Sequence, residues 1–294
     1  MTRLSTFSIV AADATSGECG VAVASKFLAA GAVVPWARGG VGAIATQSYA
    51  NTSHGPEGLA MLADGIAPET VMERLIARDP DAHKRQVGIV DLQGQSATFS
   101  GTHCFPWAGG VTAPGVAVQG NILVSESTIA AMLARFQETR GPLAWRLLAA
   151  LKAGDQAGGD RRGKQSAALL VVKPGGGYGG SNDRYLDLRV DDHLQPVDAL
   201  ERLTRLWRLY FEKPEESELI PIEGALAAEL RDGLRQLGYD AGPDRDAWDE
   251  HANLAFTAFS EMENLEDRLR PDGRTDQQLV AYVRELLRRR SALG

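Results

Sequence analysis

The chain has 294 residues, 44% of them hydrophobic and 23% charged, with 31 lysines and arginines against 38 aspartates and glutamates. That composition excludes a disordered, collagen-like or coiled-coil chain, and no run of about eighteen apolar residues is present to span a bilayer. A net charge of -7 argues against nucleic acid as a partner, and two cysteines, Cys19 and Cys104, are too few for a disulfide framework or a zinc cluster. Met1 to Ala12 lacks a basic region followed by a long apolar stretch, so a cytoplasmic location is expected.

In chain order, Phe7–Ala12 and Gly20–Ser25 read as a strand hairpin around a turn at 14–18. Gly40–Gln47 is a third, glycine-rich strand. Pro56–Arg78 carries Leu59, Leu62, Ile66, Val71 and Leu75 at helical spacing, split into two helices by Gly65 and Pro68. Gln86–Asp91 and Ser96–Ser100 flank a turn at Gln93-Gly94, and Gly115–Gln119 is another short strand. Helices follow at Glu126–Thr139, with Ser125 as N-cap, and at Pro142–Ala153. Ala167–Lys173 and Tyr185–Val190 are strands around a glycine-rich turn, and Pro196–Phe211 is a helix. Hairpins dominate, so the pattern predicts layered α+β with antiparallel sheets. No dinucleotide fingerprint or P-loop is present, and no cofactor is expected.

The charge is uneven. Residues 212–270 hold 16 acids and 6 bases, and 26 of the 32 glycines precede residue 212. Two domains are therefore expected, 1–211 and 212–294, joined by the charged, proline-containing stretch Glu212–Glu218. In the second, Leu226, Leu230, Leu234 and Leu237 form one apolar helix face, and Trp248, Leu254, Phe256 and Phe259 complete a small all-α core.

Four constellations could carry chemistry. Thr6 opens the first strand and Lys26 ends the second, so a hairpin can bring a hydroxyl nucleophile beside an ammonium. The same residues also fit an ordinary strand threonine and a solvated lysine. The loop from Gly154 to Ser166 packs glycines, carboxylates, bases and amides together. Its backbone could form an anion nest, with Arg162 clamping a carboxylate. Gln119-Gly120-Asn121 follows a strand, where Asn121 either completes a turn or donates to an oxyanion. Asp191-Asp192-His193 could ligate a metal, but no other His or Cys cluster supports it and no metal is expected.

Six ordered motifs resemble a bacterial family, domain of unknown function 1028, over about residues 5–211. They are Thr6–Ala11, Gly20–Lys26, Gly42–Gln47, Gln119–Asn121, Ala157–Ser166 and Asp187–His193. That family looks like the N-terminal nucleophile (Ntn) hydrolases, so the resemblance implies an αββα four-layer sandwich. It carries Thr6 over as nucleophile, Lys26 as the lysine ending the second strand and Asn121 as oxyanion donor. Gln47, Gln119, Asp160, Arg162, Gln165, Ser166 and His193 are the corresponding substrate-binding candidates. Thr6 is preceded by five residues, so its nitrogen is an amide unless they are removed.

The tail, with Leu234–Gly242, Trp248, Ala255–Phe259 and Glu263–Arg268, is similar to a peptidoglycan-binding-like domain. The expected function is an amide hydrolase acting on a small polar amide, lactam or peptide-like substrate. The alternative is a non-catalytic binding or scaffold protein on the same fold. Expected partners are a small-molecule substrate, a cell-wall fragment at the tail and a second copy of the chain, with no nucleic acid and no membrane.

Overall fold

A computed structural model describes residues 6–243 and 247–293. The chain divides into two compact units, residues 1–204 and 205–294.

The first unit begins with a hairpin of β1 (Thr6–Asp13) and β2 (Glu18–Ser25). Its turn closes because the Asp13 carboxylate accepts the Thr15 N–H at 2.9 Å and Gly17 takes a left-handed φ of 72°. Next come β3 (Pro35–Arg38), β4 (Gly42–Ser48), α1 (His54–Ala63) and α2 (Pro68–Arg78). Then follow β5 (Arg85–Asp91), β6 (Ser96–Ser100), β7 (Gly109–Ala113) and β8 (Val116–Asn121). The unit continues with α3 (Ser127–Glu138), α4 (Leu143–Gln156), β9 (Ser166–Val172) and β10 (Arg184–Val190). The helix α5 (Pro196–Phe211) runs across the division between the units.

The strands form two antiparallel sheets, one ordered β10-β9-β2-β1-β8-β7 and the other β3-β4-β5-β6. β3 and β7 are absent from the sequence expectation. Both are short edge strands, one opening on Pro35 and the other on Gly109-Gly110, where the alternation signal is weakest. The sheets face one another across small buried side chains, among them Val10, Val21 and Ala117 from one and Ala43, Ala45 and Val90 from the other. α1 and α2 cover the smaller sheet, burying Leu59, Leu62, Val71 and Leu75 on Ile44, Val87 and Ile89. α3 and α4 lie on the larger sheet, over β8, β1 and β2. Ser125 does not cap α3, which starts at Ser127; the two hydroxyls instead meet at 2.6 Å.

Gly88 of β5 makes room for the side chain of Gln119 from the facing sheet. A Cβ there would lie 2.0 Å from Oε1 of Gln119, on β8 of the facing sheet. Gly88→Ala is therefore expected to displace Gln119 and cost about 1–3 kcal/mol, the usual range for an overpacked core. Urea unfolding measures it; wild-type stability in the variant would show that Gln119 has a second seat.

The second unit is mainly helical, with α6 (Gly224–Leu237), α7 (Glu250–Met262) and α8 (Gln277–Leu293). It is not all-α. β11 (Leu219–Pro221) pairs antiparallel with β12 (Arg274–Asp276), and three-residue strands are too short to leave a pattern in the sequence. Leu230, Leu234, Phe256, Phe259, Leu279 and Val283 form its core. Leu254, expected in that core, is 61% exposed, on the other face of α7. Arg231 is fully buried. It donates to the Ala241 carbonyl and to both Asp249 oxygens at 3.0 Å, and Asp249 caps α7 through the Ala252 N–H.

Among the described residues, no helix is long and apolar enough to cross a membrane.

Candidate active site

Side chains alternate along β1. Phe7 turns outward to α4, where it meets Gly154, while Thr6, Ser8 and Val10 point between the sheets. Thr6 lies directly opposite Ser25 on β2 and Asn121 on β8, and Ser25 lies opposite Ser166 on β9. Opposed residues of antiparallel strands share a face, so Ser166, Ser25, Thr6 and Asn121 form one polar row across the larger sheet. All four are buried, Thr6 completely. The Thr6 hydroxyl meets the Ser25 hydroxyl at 3.2 Å.

A hydrogen-bonded network of side-chain amides backs the row. Gln86 of β5 accepts from Asn121 Nδ2 and from Gln47 Nε2, each at 2.8 Å, and donates to the Gly120 carbonyl at 2.7 Å. Gln47 accepts from the Ser8 hydroxyl at 2.7 Å and reaches the Thr6 carbonyl at 3.4 Å. Gln119 donates to the Ser8 hydroxyl at 2.6 Å. Both sheets contribute, so the network fixes their register as well as the plane of the Asn121 amide. Gln47 and Gln119 thus hold the row in place from within the fold.

Lys26 does not join the row. It follows Ser25 at the end of β2, is exposed, and its ammonium donates to the Lys164 carbonyl at 3.4 Å. The β2 side chain that meets Thr6 is Ser25, one residue earlier. A one-residue step reverses the face in a strand, and end-of-strand spacing alone does not reveal which of two neighbours points inward.

The 154–166 loop folds on itself and does not form an open nest. Asp160 is buried and accepts from the backbone N–H of Lys26 at 2.7 Å and of Arg162 at 2.9 Å. Arg162 pairs with that carboxylate at 3.2 Å and donates to the Lys26 carbonyl. Gln165 donates to Asp192 at 3.1 Å, and Ser166 donates to the Phe27 carbonyl at 2.6 Å. His193 is exposed and accepts from the Gln195 N–H. Beside this loop, between Ser25 and Asp160, the open volume is only about 10 Å³, room for little more than a water. Among the described residues no three His, Cys, Asp or Glu side chains are grouped to hold a metal, and Asp192 and His193 are engaged by protein groups.

A much larger cleft, about 760 Å³, opens where β4 ends and β5 begins. Tyr49, Asp81, Lys84 and Arg85 form one side and residues 102–106 the other. Backbone hydrogen bonds tie the two sides together, Gly101 N–H to the Arg85 carbonyl and His103 N–H to the His83 carbonyl. Three backbone links connect the cleft lining to the strands of the polar row, though no side chain of the row lines the cleft. Arg85 precedes Gln86, Tyr49 lies two residues beyond Gln47, and the Phe105 carbonyl accepts the N–H of Ile122, next to Asn121. Cys104 lies buried at its base, where its thiol meets the Arg85 carbonyl and the Ser48 hydroxyl. Burial pushes that thiol up, and neither contact is a general base.

Under the cleft sits a buried charged cluster. Asp79 accepts from Arg85 Nε at 2.8 Å, from Asn51 Nδ2 at 2.9 Å and from the Asp81 N–H at 2.9 Å, with His54 Nε2 3.2 Å away. Burial works to raise the Asp79 carboxyl, but the hydrogen bonds from Arg85, Asn51 and the Asp81 backbone outweigh it and hold the group well below the usual carboxylate range. Burial lowers His54, and the Asp79 charge offsets this only in part. Arg85 also donates to the Tyr49 carbonyl.

Sequence reasoning missed Ser25, Gln86 and this cluster. The signal for the first two is polarity where neighbours are apolar: Ser25 ends the run Val-Ala-Val-Ala, and Gln86 opens the run Val-Gly-Ile-Val.

A family model described as "Family of unknown function (DUF1028)" matches residues 6–200, and one described as "Putative peptidoglycan binding domain" matches residues 210–283. The chain is also similar to the crystal structure of protein SPO2555 from Silicibacter pomeroyi, which carries the first of these family names. Identity is 33% and the TM-score 0.63, covering 70% of this chain and 89% of that one. No curated protein matches the chain.

Proposed function

The chain belongs to the family designated domain of unknown function 1028, and from that footing we propose that its first unit is an Ntn-type amide hydrolase with Thr6 as nucleophile. Two facing sheets, each under a helix pair, support reading the unit as an αββα sandwich of that class. The observation that carries the proposal is the place of Thr6. It stands at the head of a central strand, on the inner face, between Ser25 and Asn121.

The hydrogen bond the Thr6 hydroxyl makes is to Ser25, which is not a base. The base in this reading is the Thr6 amine, which exists only after the Ser5–Thr6 bond is cut. That amine takes the hydroxyl proton as Oγ1 attacks the substrate carbonyl. Asn121, fixed in plane by Gln86, donates to the oxyanion. The proton then passes to the departing amine as the C–N bond breaks, leaving an ester on Thr6. Water hydrolyses the ester to a free carboxylate and restores the hydroxyl. The second unit, in this reading, docks the enzyme on a cell-wall fragment.

One observation favours the rival reading, a binding protein on the same fold: Thr6 is fully enclosed and its nitrogen is acylated by Ser5. Turnover of a panel of amides, lactams and γ-glutamyl compounds by wild type and by Thr6→Ala separates the two. Loss of turnover in Thr6→Ala supports the nucleophile. Equal turnover overturns the nucleophile assignment, and no turnover by either protein supports the rival.

A further inference from the structure

The cleft at the end of β4 and β5 carries an unusual set of groups for a surface recess. Its volume, about 760 Å³, lies within the range of small-molecule sites. Asp81 and Lys84 stand side by side at its wall, 2.8 Å apart and each more than a third exposed. The third charge at the wall, Arg85, is already committed. Asp79 takes its guanidinium through two nitrogens, the Tyr49 carbonyl takes the remaining one, and the Asp81 carboxylate lies 3.7 Å from the guanidinium. Asp81 and Lys84 are thus the one carboxylate and one ammonium left to a ligand, beside the exposed Thr102 and His103. Phe105 and Pro106 add apolar surface to the lining. Both walls are held by backbone hydrogen bonds, so the recess is preformed.

We propose that this cleft binds a small zwitterionic peptide, with the peptide ammonium on Asp81, its carboxylate on Lys84 and an apolar side chain against Phe105. A simple anion would meet Asp81 and a simple cation Lys84, so only a molecule with both charges matches the pair. The ligand splits the Asp81–Lys84 ion pair and replaces it with two. An exposed pair of this kind is weak, so opening it costs little. The assignment rests on the hydrolase reading only for what happens to the peptide, and not for its binding.

The test is calorimetric titration of the full chain, as wild type and as Thr6→Ala, with alanylphenylalanine, its N-acetyl form and its C-terminal amide. The dipeptide is expected to bind, and each blocked form to bind at least tenfold more weakly. Lys84→Met should remove the preference for free acid over amide. Asp81→Asn should remove the preference for free amine over N-acetyl. Both side chains are partly exposed, and circular dichroism confirms that the variants fold. Equal binding of the three compounds, or no binding by folded protein, overturns the assignment. Because Thr6→Ala is included, the result is independent of the nucleophile. Thr6-dependent turnover of uncharged amides with no zwitterion binding would defeat the cleft assignment alone, whereas zwitterion binding with Thr6-independent turnover would defeat the nucleophile alone.

Discussion

Asp79→Asn is expected to destabilise the first unit by about 3–5 kcal/mol, the cost of breaking a buried ion pair on one side only. The Asp79 carboxylate is the one group that Arg85, Asn51 and the Asp81 backbone all address, and His54 lies against it. An asparagine keeps the shape but leaves Arg85 without its buried counter-charge, with only the half-exposed Asp81 carboxylate 3.7 Å away. Two pH signatures accompany the loss. The Asp79 carboxyl is depressed in the fold, so its contribution is complete above the unfolded carboxylate range, about pH 4, and disappears as pH falls below that. His54 is also depressed, by burial, so the folded state binds its proton less readily than the unfolded chain. Stability therefore starts to fall as pH drops through about 6.5. Urea unfolding from pH 8 to pH 3 should show both losses in wild type. His54→Gln should lack the upper one, and Asp79→Asn should show a smaller lower one, since other depressed carboxyls such as Asp81 and Glu218 remain. Identical pH profiles in all three proteins would show that the cluster does not carry this energy.

Asp276→Ala is expected to damage the second unit as severely. Asp276 and Arg268 are both buried and pair at 2.7 Å. The other Asp276 oxygen accepts the N–H groups of Gln278 and Leu279 at 3.0 and 3.1 Å, which makes it the N-cap of α8. Arg268 in turn donates to the carbonyls of Arg208, Leu209 and Glu212 at the end of α5. Losing the carboxylate should cost about 3–5 kcal/mol for the stranded guanidinium and about 1 kcal/mol more for the cap. The double variant Asp276→Leu with Arg268→Met removes both charges and should recover part of the ion-pair loss but not the cap. Thermal unfolding followed by circular dichroism reads both. A double variant less stable than Asp276→Ala would mean that the carbonyl contacts of Arg268, and not the pair, hold this corner.

Much of the first unit could be read from local chemistry. The Asp13-to-Gly17 turn announces the first hairpin, and Gly65 with Pro68 separates α1 from α2. Thr6 and Asn121, chosen from motifs 115 residues apart, turn out to be register partners on adjacent strands. The failures share a cause: sequence shows spacing but not the direction of a side chain. Lys26 was expected where Ser25 stands because consecutive strand residues face opposite ways. Asp160 and Arg162 were expected to meet a ligand, but they serve the backbone of Lys26 and each other. The cleft was invisible for another reason. Its lining comes from Tyr49, Asp81, Lys84, Arg85 and residues 102–106, which form no recognisable motif, and only the pairing of β5 with both β4 and β6 assembles them.

Peptide mapping by mass spectrometry, after the purified protein is treated with a β-lactone, tests the role of Thr6 most directly, because one measurement reads both the N-terminal residue and the acylated atom. Catalysis by Thr6 predicts labelled chains that begin at Thr6, with the acyl group on that residue and no label in Thr6→Ala. Label on another residue, or protein that hydrolyses amides with the Ser5–Thr6 bond intact, would contradict it.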